Sequence, residues 1–475
     1  MNRRHYHLIG IGGTAMGSLA GLLKAAGHQV TGSDHNVYPP MSDQLRELGI
    51  PFREGYSQDN LVPVPDVVVV GNAISRGNPE LEAVLNRKLR YTSAAATIKE
   101  EFIRGRHSVA VAGTHGKTTT TSLIAWVLEC AGLNPSFLIG GVAENFGSSF
   151  RLTDSELFVI EADEYDTAYF DKGPKMWHYL PDTAVVNNIE FDHADIYRDE
   201  EAYKLAFARF INLIPANGKL IAGFDSAIVR ELAAKSFAPV ESFGYQAEPG
   251  ADQTRWQARS VEFGEETTGF EVLHDGTLWG KVETPLAGAF NVRNSLAAIA
   301  TAEAVEADRA GVLEGLRTFR SVRRRLEVRG TVAGVTVIDD FAHHPTAVRE
   351  TIDAVRQRYP RRKLVAVFEP RSYTAQRKEF EQPYIAALQG ADDVVLAGLF
   401  RPERYTRETG LDPKVLIDAW HAAGKTADYI PKVDEIITRL NGSLTGDEVV
   451  VFMSNGGFGG IHAKLLETLQ SRVLT

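Results

Sequence analysis

A short glycine-containing stretch, GTHGKTT, carries the residue types of a phosphate-binding loop. Gly113, Gly116 and Lys117 follow an apolar strand-like run and precede a helical run, which is the order that phosphate cradling requires. The usual pattern has a glycine six residues before the lysine, where this chain has Val111. The lysine is predicted to meet β- and γ-phosphates; the alternative is a glycine turn beside an exposed lysine. The predicted nucleotide-binding residues are Gly113, Thr114, His115, Gly116, Lys117, Thr118 and Thr119.

Two later strand-like runs end in residues that could bind a cation. Glu161 ends a buried apolar run, and a charge buried there is costly unless a cation pairs with it. Of the nearby acids Asp163, Glu164 and Asp166, at least two are predicted to be solvated loop residues. His193 is predicted to serve a second Mg²⁺ site, the alternative being a structural hydrogen bond. Mg²⁺ takes oxygen ligands, which suits the Glu161 carboxylate. The predicted metal ligands are Thr118, Glu161 and His193.

The N-terminal stretch GIGGTAMG partly matches a dinucleotide fingerprint. Gly10 and Gly12 fit G-x-G-x-x-G, whereas Ala15 occupies the sixth position. A helix that begins here would offer free N–H groups and a partial positive charge to a pyrophosphate. Asp34 ends the next strand, as the acidic ribose ligand of a Rossmann domain does. The alternative is a tight strand–helix turn without a ligand, and the motif does not identify the nucleotide.

Basic and histidine residues recur near the start of the last third of the chain. Arg324 or Arg325, within SVRRRLE, could reach a γ-phosphate when domains close. The alternative is a solvated basic hinge. Asp340, His343 and His344 follow the next strand-like run, VTVIDD. These side chains are therefore predicted at another strand end.

The elements that must position these residues form three successive α/β units. Strand–helix alternation begins at HYHLIGIGG and restarts at SVAVAG and at VTVIDD, which is typical of doubly wound parallel sheets. Ligands bind such sheets at the carboxyl ends of the strands. A stretch from Glu241 to Thr284 alternates as an inserted β-region would. The predicted domains are a Rossmann-like unit over 1–105, a P-loop-type ATPase unit over 106–323 and a Rossmann-like unit over 324–475.

Composition limits the possible partners. A formal charge of −10 over 475 residues argues against nucleic acid or an anionic membrane as the main partner. The N-terminal apolar run breaks at once into glycines, and no run has the length of a membrane span, so we expect a cytoplasmic protein. No obligate protein partner is evident.

Two nucleotide loops and a mobile third unit suggest two substrates that are joined with ATP. A phosphoryl group passed to a carboxylate makes an acyl phosphate, which an amine attacks to give an amide. The alternative from another class is a nucleotide switch without ligation chemistry.

Seven stretches together resemble the Mur ligase family of peptidoglycan synthesis: GIGGTAMG, GTHGKTT, EADE, NIEFDH, FNVRNSLAAIA, RRLE and DDFAHHP. The family's loop, G-T-x-G-K-T, accounts for the missing glycine. The resemblance implies that ATP and Mg²⁺ bind the central unit, that Arg325 approaches the γ-phosphate, and that Asp340 and His343 lie on the closing face. It implies adenine contacts from Asn291 and Asn294. It implies a UDP-sugar region at Gly10, Gly12, Gly13, Thr14, Ala15, Asp34, Asn72, Ala73 and Ile74.

Within the family, the GIGG start and the AHHP box resemble the branch that uses UDP-N-acetylmuramate. Its members add either L-alanine or the recycled tripeptide L-alanyl-γ-D-glutamyl-meso-diaminopimelate to the lactyl carboxylate. Three stretches favour the tripeptide, namely Gly32–Ser42, Phe368–Arg377 and Ser454–His462. Arg371 suits a peptide carboxylate, the alternative being a surface ion pair, and the glycine-rich loop leaves room for a long acceptor. The predicted acceptor-binding residues are Arg371, Ser454 and Asn455.

Overall fold

The computed structural model describes residues 3–38, 41–193, 196–248, 250–372, 374–406 and 408–473. Pro39 and Pro40 of the Gly32–Ser42 stretch, and Tyr373 of the Phe368–Arg377 stretch, lie outside the described residues. The described strands form three large sheets in chain order and one two-stranded hairpin. The predicted α/β class is therefore confirmed. No helix within the described ranges is both long enough and apolar enough to cross a membrane.

The first sheet has five strands, and all neighbours in it are parallel. Its elements are β1 (His5–Ile9), α1 (Thr14–Ala25), β2 (Gln29–Asp34), α2 (Met41–Glu47), β3 (Phe52–Glu54), β4 (Val67–Val70), α3 (Pro79–Asn86), β5 (Tyr91–Ser93) and α4 (Ala94–Ile98). The strand order is β3-β2-β1-β4-β5, so the order reverses between β1 and β4. Doubly wound sheets bind ligands at the carboxyl side of such a reversal, and the GIGG turn follows β1 there.

The second sheet has ten strands. Its region comprises β6 (His107–Ala112), α5 (Lys117–Cys130), β7 (Ser136–Ala143), β8 (Ser148–Arg151), β9 (Leu157–Glu161), β10 (Asp166–Ala168), β11 (Asp171–Pro174), β12 (Thr183–Val186), α6 (Glu200–Ile211), β13 (Lys219–Gly223), α7 (Ala227–Ala233), β14 (Val240–Tyr245), β15 (Trp256–Phe263), β16 (Thr268–His274), β17 (Thr277–Thr284), α8 (Ala289–Ala304) and α9 (Arg309–Thr318). The strand order is β17-β16-β15-β14-β13-β12-β6-β9-β7-β8, and β10 and β11 form the separate hairpin. The predicted inserted β-region is therefore an extension of the central sheet, because β14 pairs in parallel with β13 and the later hairpins continue from it.

The third sheet has six strands. Its region comprises β18 (Glu327–Val332), β19 (Val335–Asp340), α10 (Pro345–Arg358), β20 (Lys363–Phe368), α11 (Glu381–Ala387), β21 (Asp393–Ala397), α12 (Pro413–Ala422), β22 (Thr426–Ile430), α13 (Val433–Ser443), β23 (Glu448–Met453) and α14 (Ile461–Val473). The strand order is β18-β19-β23-β20-β21-β22, and only β18 pairs in the antiparallel direction. The carboxyl ends of β19, β20 and β23 therefore lie side by side.

The first and second sheets are joined through apolar side chains. Helix α1 packs against β8 so closely that a methyl group on Gly21 would lie 2.1 Å from the Phe150 ring. Phe102 stacks on Phe158 of β9 with ring centroids 6.4 Å apart. Buried apolar residues of both units belong to one cluster. Burial of this shared surface is expected to hold the two sheets together as one body.

Two glycines allow the helix that follows the GTHGKTT loop to pack directly on its neighbour. A methyl group on Gly315 of α9 would lie 2.7 Å from the Val127 Cα atom of α5, and one on Gly311 would lie 2.6 Å from the Cys130 carbonyl oxygen. The contacts are with backbone atoms, which cannot rotate away. Helix α5, and the loop at its start, is therefore positioned by close helix–helix contact.

Replacing Gly315 by alanine is expected to lower the free energy of unfolding by about 1–3 kcal/mol. Overpacking against α5 should outweigh the roughly 1 kcal/mol that alanine contributes through helix propensity. Gly442 in α13 is the matched control, because a methyl group there would meet no neighbouring atom within 4 Å among the described residues. Gly442→Ala should leave stability unchanged or raise it slightly. Urea unfolding followed by tryptophan fluorescence measures both variants, and equal effects would contradict the packing argument.

Candidate functional site

The GTHGKTT loop joins β6 to α5 at the carboxyl edge of the central sheet. Gly113 (φ 138°) and Gly116 (φ 81°) have backbone conformations that favour glycine. The Thr114 N–H donates to the Asn188 carbonyl at 3.0 Å, and the His115 N–H donates to Asn188 Oδ1 at 2.8 Å. The segment that follows β12 therefore braces the shortened loop.

Lys117 begins α5, and its ammonium group faces a buried acid. Its Nζ lies 2.7 Å from Glu164 Oε2 and donates to the Gly113 carbonyl at 2.6 Å. The two charged side chains are 11% and 0% exposed. His193 Nε2 lies 3.0 Å from the other Glu164 oxygen. Burial lowers the pKa of Lys117, but Glu164 and Asp163 outweigh it and raise that pKa, so the ammonium stays charged.

The prediction that at least two of the three loop acids are solvated is wrong. Glu164 is fully buried. Asp163 accepts from Lys175 at 3.0 Å and is 31% exposed, and Asp166 accepts from Lys172 at 2.6 Å and is 16% exposed. Burial raises the pKa of Asp163, but nearby lysines outweigh it and hold that pKa at about 2. Lysine side chains outside the EADE motif pair with Asp163 and Asp166, and both carboxylates are therefore only partly exposed.

Glu161 ends β9 beside the start of α5. Thr118 Oγ1 donates to Glu161 Oε1 at 3.0 Å, and the Gly140 N–H donates to the other oxygen at 2.8 Å. Burial raises the pKa of Glu161. Its carboxylate and the Thr118 hydroxyl are adjacent oxygen donors, so these residues fit a magnesium ion. His193 pairs with Glu164 instead, and the predicted metal ligands thus lie in two neighbouring clusters.

His115, Glu190 and His344 bring three potential ligand atoms within 4.8 Å of one another. His115 Nε2 lies 2.9 Å from Glu190 Oε2, and Thr346 Oγ1 donates to the other Glu190 oxygen at 2.7 Å. His344 caps α10 by accepting from the Thr346 N–H at 3.4 Å. Because these atoms already have protein partners, we interpret the set as a contact between the second and third sheet regions.

Asn291 and Asn294, predicted to read adenine, lie in the first turns of α8 and are each 4% exposed. Asn294 Oδ1 accepts from Thr120 Oγ1 at 3.0 Å, and its Nδ2 donates to Asn291 Oδ1 at 3.0 Å. The Asn294 amide therefore braces α8 against α5, and Asn291 orients that amide. Asn291 and Arg325 also line a cavity of about 570 Å³ between the second and third sheet regions.

Asp340 ends β19 and His343 follows it, next to the linker between the second and third sheets. Asp340 accepts from the N–H groups of Leu326 at 2.7 Å and Ala342 at 2.8 Å. Burial raises the pKa of Asp340, and Arg325 opposes this effect. Burial lowers the pKa of His343 to about 4, so this imidazole is neutral near pH 7. In this arrangement Asp340 orders the linker that carries Arg325, whose Nη2 lies 3.4 Å from Thr118 Oγ1.

The N-terminal glycine turn is held by Asp34. The Gly12 N–H donates to Asp34 Oδ2 at 2.8 Å, and the Tyr56 hydroxyl donates to Oδ1 at 3.1 Å. Gly10 has a φ of 88°, and a methyl group on it would lie 3.3 Å from Ile74. The remaining predicted residues of this region adjoin it: Gly13 precedes α1, Thr14 and Ala15 begin α1, and Asn72 and Ala73 follow β4.

Asn72 connects this region to the central one, because its Nδ2 donates to Asp166 Oδ1 at 3.0 Å. Asp166 begins β10 of the separate hairpin. The predicted sugar-nucleotide residues therefore face the acidic segment after β9.

The predicted acceptor residues meet where β20 and β23 end. Arg371 lies across Gly456, where an added methyl would be 2.3 Å from its Cδ atom. Ser454 Oγ donates to Glu369 Oε2 at 2.5 Å, and Arg371 Nη1 is 3.9 Å from Glu369 Oε1. Asn455 Oδ1 is buried, and no donor to it is found in the described part of the chain. The structure thus brings together Arg371, Ser454 and Asn455.

Several site residues were missed by the sequence reasoning. Asn188, Glu190 and Glu369 each contact a predicted residue, as does Glu164, which was named only as one of three loop acids. Each stands in or beside a quoted motif. Position at a strand end could have marked them. The sequence does not show which of several adjacent polar side chains turns inward, because that depends on neighbours from distant parts of the chain.

Family comparison covers most of the chain. Residues 5–104 match "Mur ligase family, catalytic domain", residues 111–302 match "Mur ligase middle domain", and residues 324–456 match "Mur ligase, glutamate ligase domain".

Individual relatives match over nearly their full lengths. The chain is 41% identical over 471 residues to the UDP-N-acetylmuramate–L-alanyl-γ-D-glutamyl-meso-2,6-diaminoheptandioate ligase of Escherichia coli, covering 98% of each. It is 33% identical to the UDP-N-acetylmuramate–L-alanine ligase of Syntrophus aciditrophicus, covering 98% of this chain and 94% of that one. A murein peptide ligase structure from Psychrobacter arcticus superposes with a TM-score of 0.71 at 36% identity, covering 98% of this chain and 99% of that one.

Replacing Glu164 by glutamine is expected to lower the free energy of unfolding by about 3–5 kcal/mol, because the Lys117 ammonium would remain buried without its carboxylate. Glu435→Gln is the control, since the Lys432–Glu435 pair is 78% and 55% exposed. Its removal should cost less than about 1 kcal/mol. Urea unfolding measures both, and a small effect at Glu164 would show that the pair is not desolvated.

Stability should fall as pH decreases from about 6.5 towards 4. Burial and His115 lower the pKa of His344 to about 4, so over this interval the unfolded chain binds a proton that the folded chain does not. The contribution of His344 to the free energy of unfolding is complete above the unfolded pKa, and it decreases by up to roughly 3 kcal/mol on acidification. His344→Asn retains a capping side chain and should reduce the slope of this part of the curve without abolishing it, because burial also lowers the pKa of His343 to about 4. Urea unfolding at several pH values provides the measurement; an unchanged slope would place the titration elsewhere.

Proposed function

Because the chain belongs to the Mur ligase family, we propose that it is the ATP-dependent amide ligase that uses the recycled tripeptide. It would join the lactyl carboxylate of UDP-N-acetylmuramate to the L-alanine amine of L-alanyl-γ-D-glutamyl-meso-diaminopimelate in peptidoglycan recycling. The main support for this proposal is the 41% identity, over 98% of the chain, to the Escherichia coli ligase named for that reaction. The L-alanine ligase of Syntrophus aciditrophicus is less similar, at 33%.

We assign one substrate to each sheet region. Residues 1–105 would bind the UDP-sugar around the GIGG turn, residues 106–323 would bind ATP, and residues 324–475 would bind the acceptor. The proposal is supported by the position of each glycine-rich turn at the carboxyl ends of parallel strands.

The reaction begins with phosphoryl transfer from ATP to the lactyl carboxylate. Lys117 would stabilise the transferred charge, and its ammonium is already held at the loop by Glu164 and the Gly113 carbonyl. Thr118 and Glu161 would hold one Mg²⁺ and His193 would serve a second, and the positive charge supplied there would neutralise phosphate charge. Arg325 lies close enough to Thr118, at 3.4 Å, to approach the same phosphates.

The second step is attack of the acceptor amine on the acyl phosphate, which forms the amide and releases phosphate. Arg371 would hold a peptide carboxylate through its planar donors. The contact of Glu190 with Thr346, at 2.7 Å, would favour the closed arrangement of the second and third regions. Closure excludes water and so protects the acyl phosphate from hydrolysis.

Ligation should require UDP-N-acetylmuramate and should be faster with the tripeptide than with free L-alanine. A long acceptor can use Arg371 and the Ser454–Gly460 loop, whereas one alanine cannot reach both. The measurement is ADP release in parallel assays that differ only in the acceptor. Faster turnover with L-alanine would establish the alternative, a UDP-N-acetylmuramate–L-alanine ligase.

The Lys117→Ala variant tests the remote alternative, in which the protein is a nucleotide switch without catalytic activity. The amide product should fall by at least about 100-fold, because a positioned charge at the transferring group is lost. A switch protein would instead show ATP binding with no sugar-dependent ADP release in the unmodified chain.

A further inference from the structure

We infer that Arg324 is a positioning residue for the acceptor: it fixes the Ser454–Gly456 loop to the linker between the second and third regions. This inference rests on the proposed function, since the loop belongs to the acceptor site assigned above. The Nη2 atom of Arg324 donates to the carbonyls of Ser454 and Gly456, both at 2.6 Å. Charge-assisted bonds to two carbonyls two residues apart define the loop's backbone path.

The Arg324 side chain is itself held from behind. Its Nε lies 3.5 Å from the carboxylate of Asp339, whose side chain is 5% exposed and which also lies 3.2 Å from His462. Its guanidinium carbon stands 5.1 Å from the centre of the Phe341 ring. Contacts with β19, itself paired with His462 of α14, therefore fix the position of the Arg324 guanidinium group.

The Arg324 backbone is fixed as well. Its N–H donates to Glu327 Oε2 at 2.7 Å, and its carbonyl accepts from the Phe341 N–H at 2.9 Å. Its φ of 62° is unusual for a residue with a side chain. These contacts hold the residue in a conformation that it would otherwise rarely adopt.

The opposite side of the loop faces the predicted carboxylate-binding residue. Arg371 passes so close over Gly456 that a methyl group there would force the Arg371 side chain to shift. Ser454 Oγ donates to Glu369 at 2.5 Å, and Glu369 is the acid nearest to Arg371, at 3.9 Å. Movement of the Gly456 carbonyl would therefore displace the surface on which Arg371 lies.

The neighbouring arginines contact other regions. Arg325 reaches Thr118 Oγ1 at 3.4 Å, and Arg323 donates to Glu144 at 2.6 Å. Arg324 is thus the member of the RRR stretch whose contacts lie on the acceptor side. Its loss should weaken acceptor binding while the acyl phosphate still forms.

The test separates these two steps with hydroxylamine, a small nucleophile that needs no acceptor site. Hydroxylamine attacks the acyl phosphate, forms a C–N bond to the acyl carbon and expels phosphate, which leaves a hydroxamate. Arg324→Lys keeps the charge but not the planar guanidinium group, which contacts Asp339 through Nε and the loop carbonyls through Nη2. We expect its KM for the tripeptide to rise at least tenfold, with hydroxamate formation and the KM for ATP changed less than threefold.

Arg323→Lys is the matched control, since Arg323 is in the same stretch but is 60% exposed and pairs with Glu144. Its kinetic constants should stay within twofold of the unmodified chain. Gly456→Ala perturbs the same loop from the Arg371 side and should raise the tripeptide KM without reducing hydroxamate formation. This second variant keeps the test decisive if Arg324→Lys fails to fold, which circular dichroism would reveal.

Each outcome has one interpretation. An equal loss of peptide ligation and hydroxamate formation in Arg324→Lys would overturn the inference. So would an unchanged tripeptide KM in folded Arg324→Lys, or in Gly456→Ala if Arg324→Lys does not fold. Absence of hydroxamate from the unmodified chain would instead contradict the proposed function. Hydroxamate without peptide ligation would contradict only the acceptor assignment.

Discussion

The buried ammonium of Lys117 constrains the whole central region. Removing a charged group from water costs several kcal/mol, and an effective partner must be equally fixed. Glu164 supplies the opposite charge, and the Gly113 carbonyl accepts a further hydrogen bond. His193 contacts the same carboxylate. One charge thereby brings together the loop after β6, the segment after β9 and the segment after β12, which are distant in sequence and adjacent in the sheet.

Sequence patterns predicted much of this arrangement because strand ends in a parallel sheet must meet. The alternation of strands and helices, the GTHGKTT loop and the position of Glu161 at a strand end all follow local rules. The burial of Glu164 does not, since it depends on Lys117, and the pairing of Asp163 depends on Lys175. The β-region after Glu241 shows the same limit: its alternation predicts strands, but only the pairing of β14 with β13 places them in the central sheet.

The two boundaries between sheet regions differ in chemistry. The first and second regions share one apolar cluster that includes Phe102 and Phe158, whereas the buried apolar residues of the third region form clusters of their own. The second and third regions meet through polar contacts, among them the ion pair of Arg293 with Glu350 and the bond from Thr346 to Glu190. Water can replace polar contacts at little net cost, but it cannot replace buried apolar area. We therefore expect the third region to move relative to a more rigid pair.

Because the linker carries Arg324 and Arg325, such motion is expected to affect both the nucleotide site and the acceptor site. Ser321, Arg324 and Leu326 have φ values of 68°, 62° and 48°, and each such residue costs about 1 kcal/mol or more unless its surroundings hold it. Arg323 is held from the second region by Glu144, whereas Leu326 is held from the third by Asp340. Separation of the regions would remove at least one of these restraints, and the strained backbone could then relax. Because Arg324 keeps its contacts within the third region while Arg325 reaches Thr118 of the second, separation would carry the acceptor loop away together with Arg324 and would withdraw Arg325 from Thr118. The nucleotide and acceptor sites are therefore expected to assemble together.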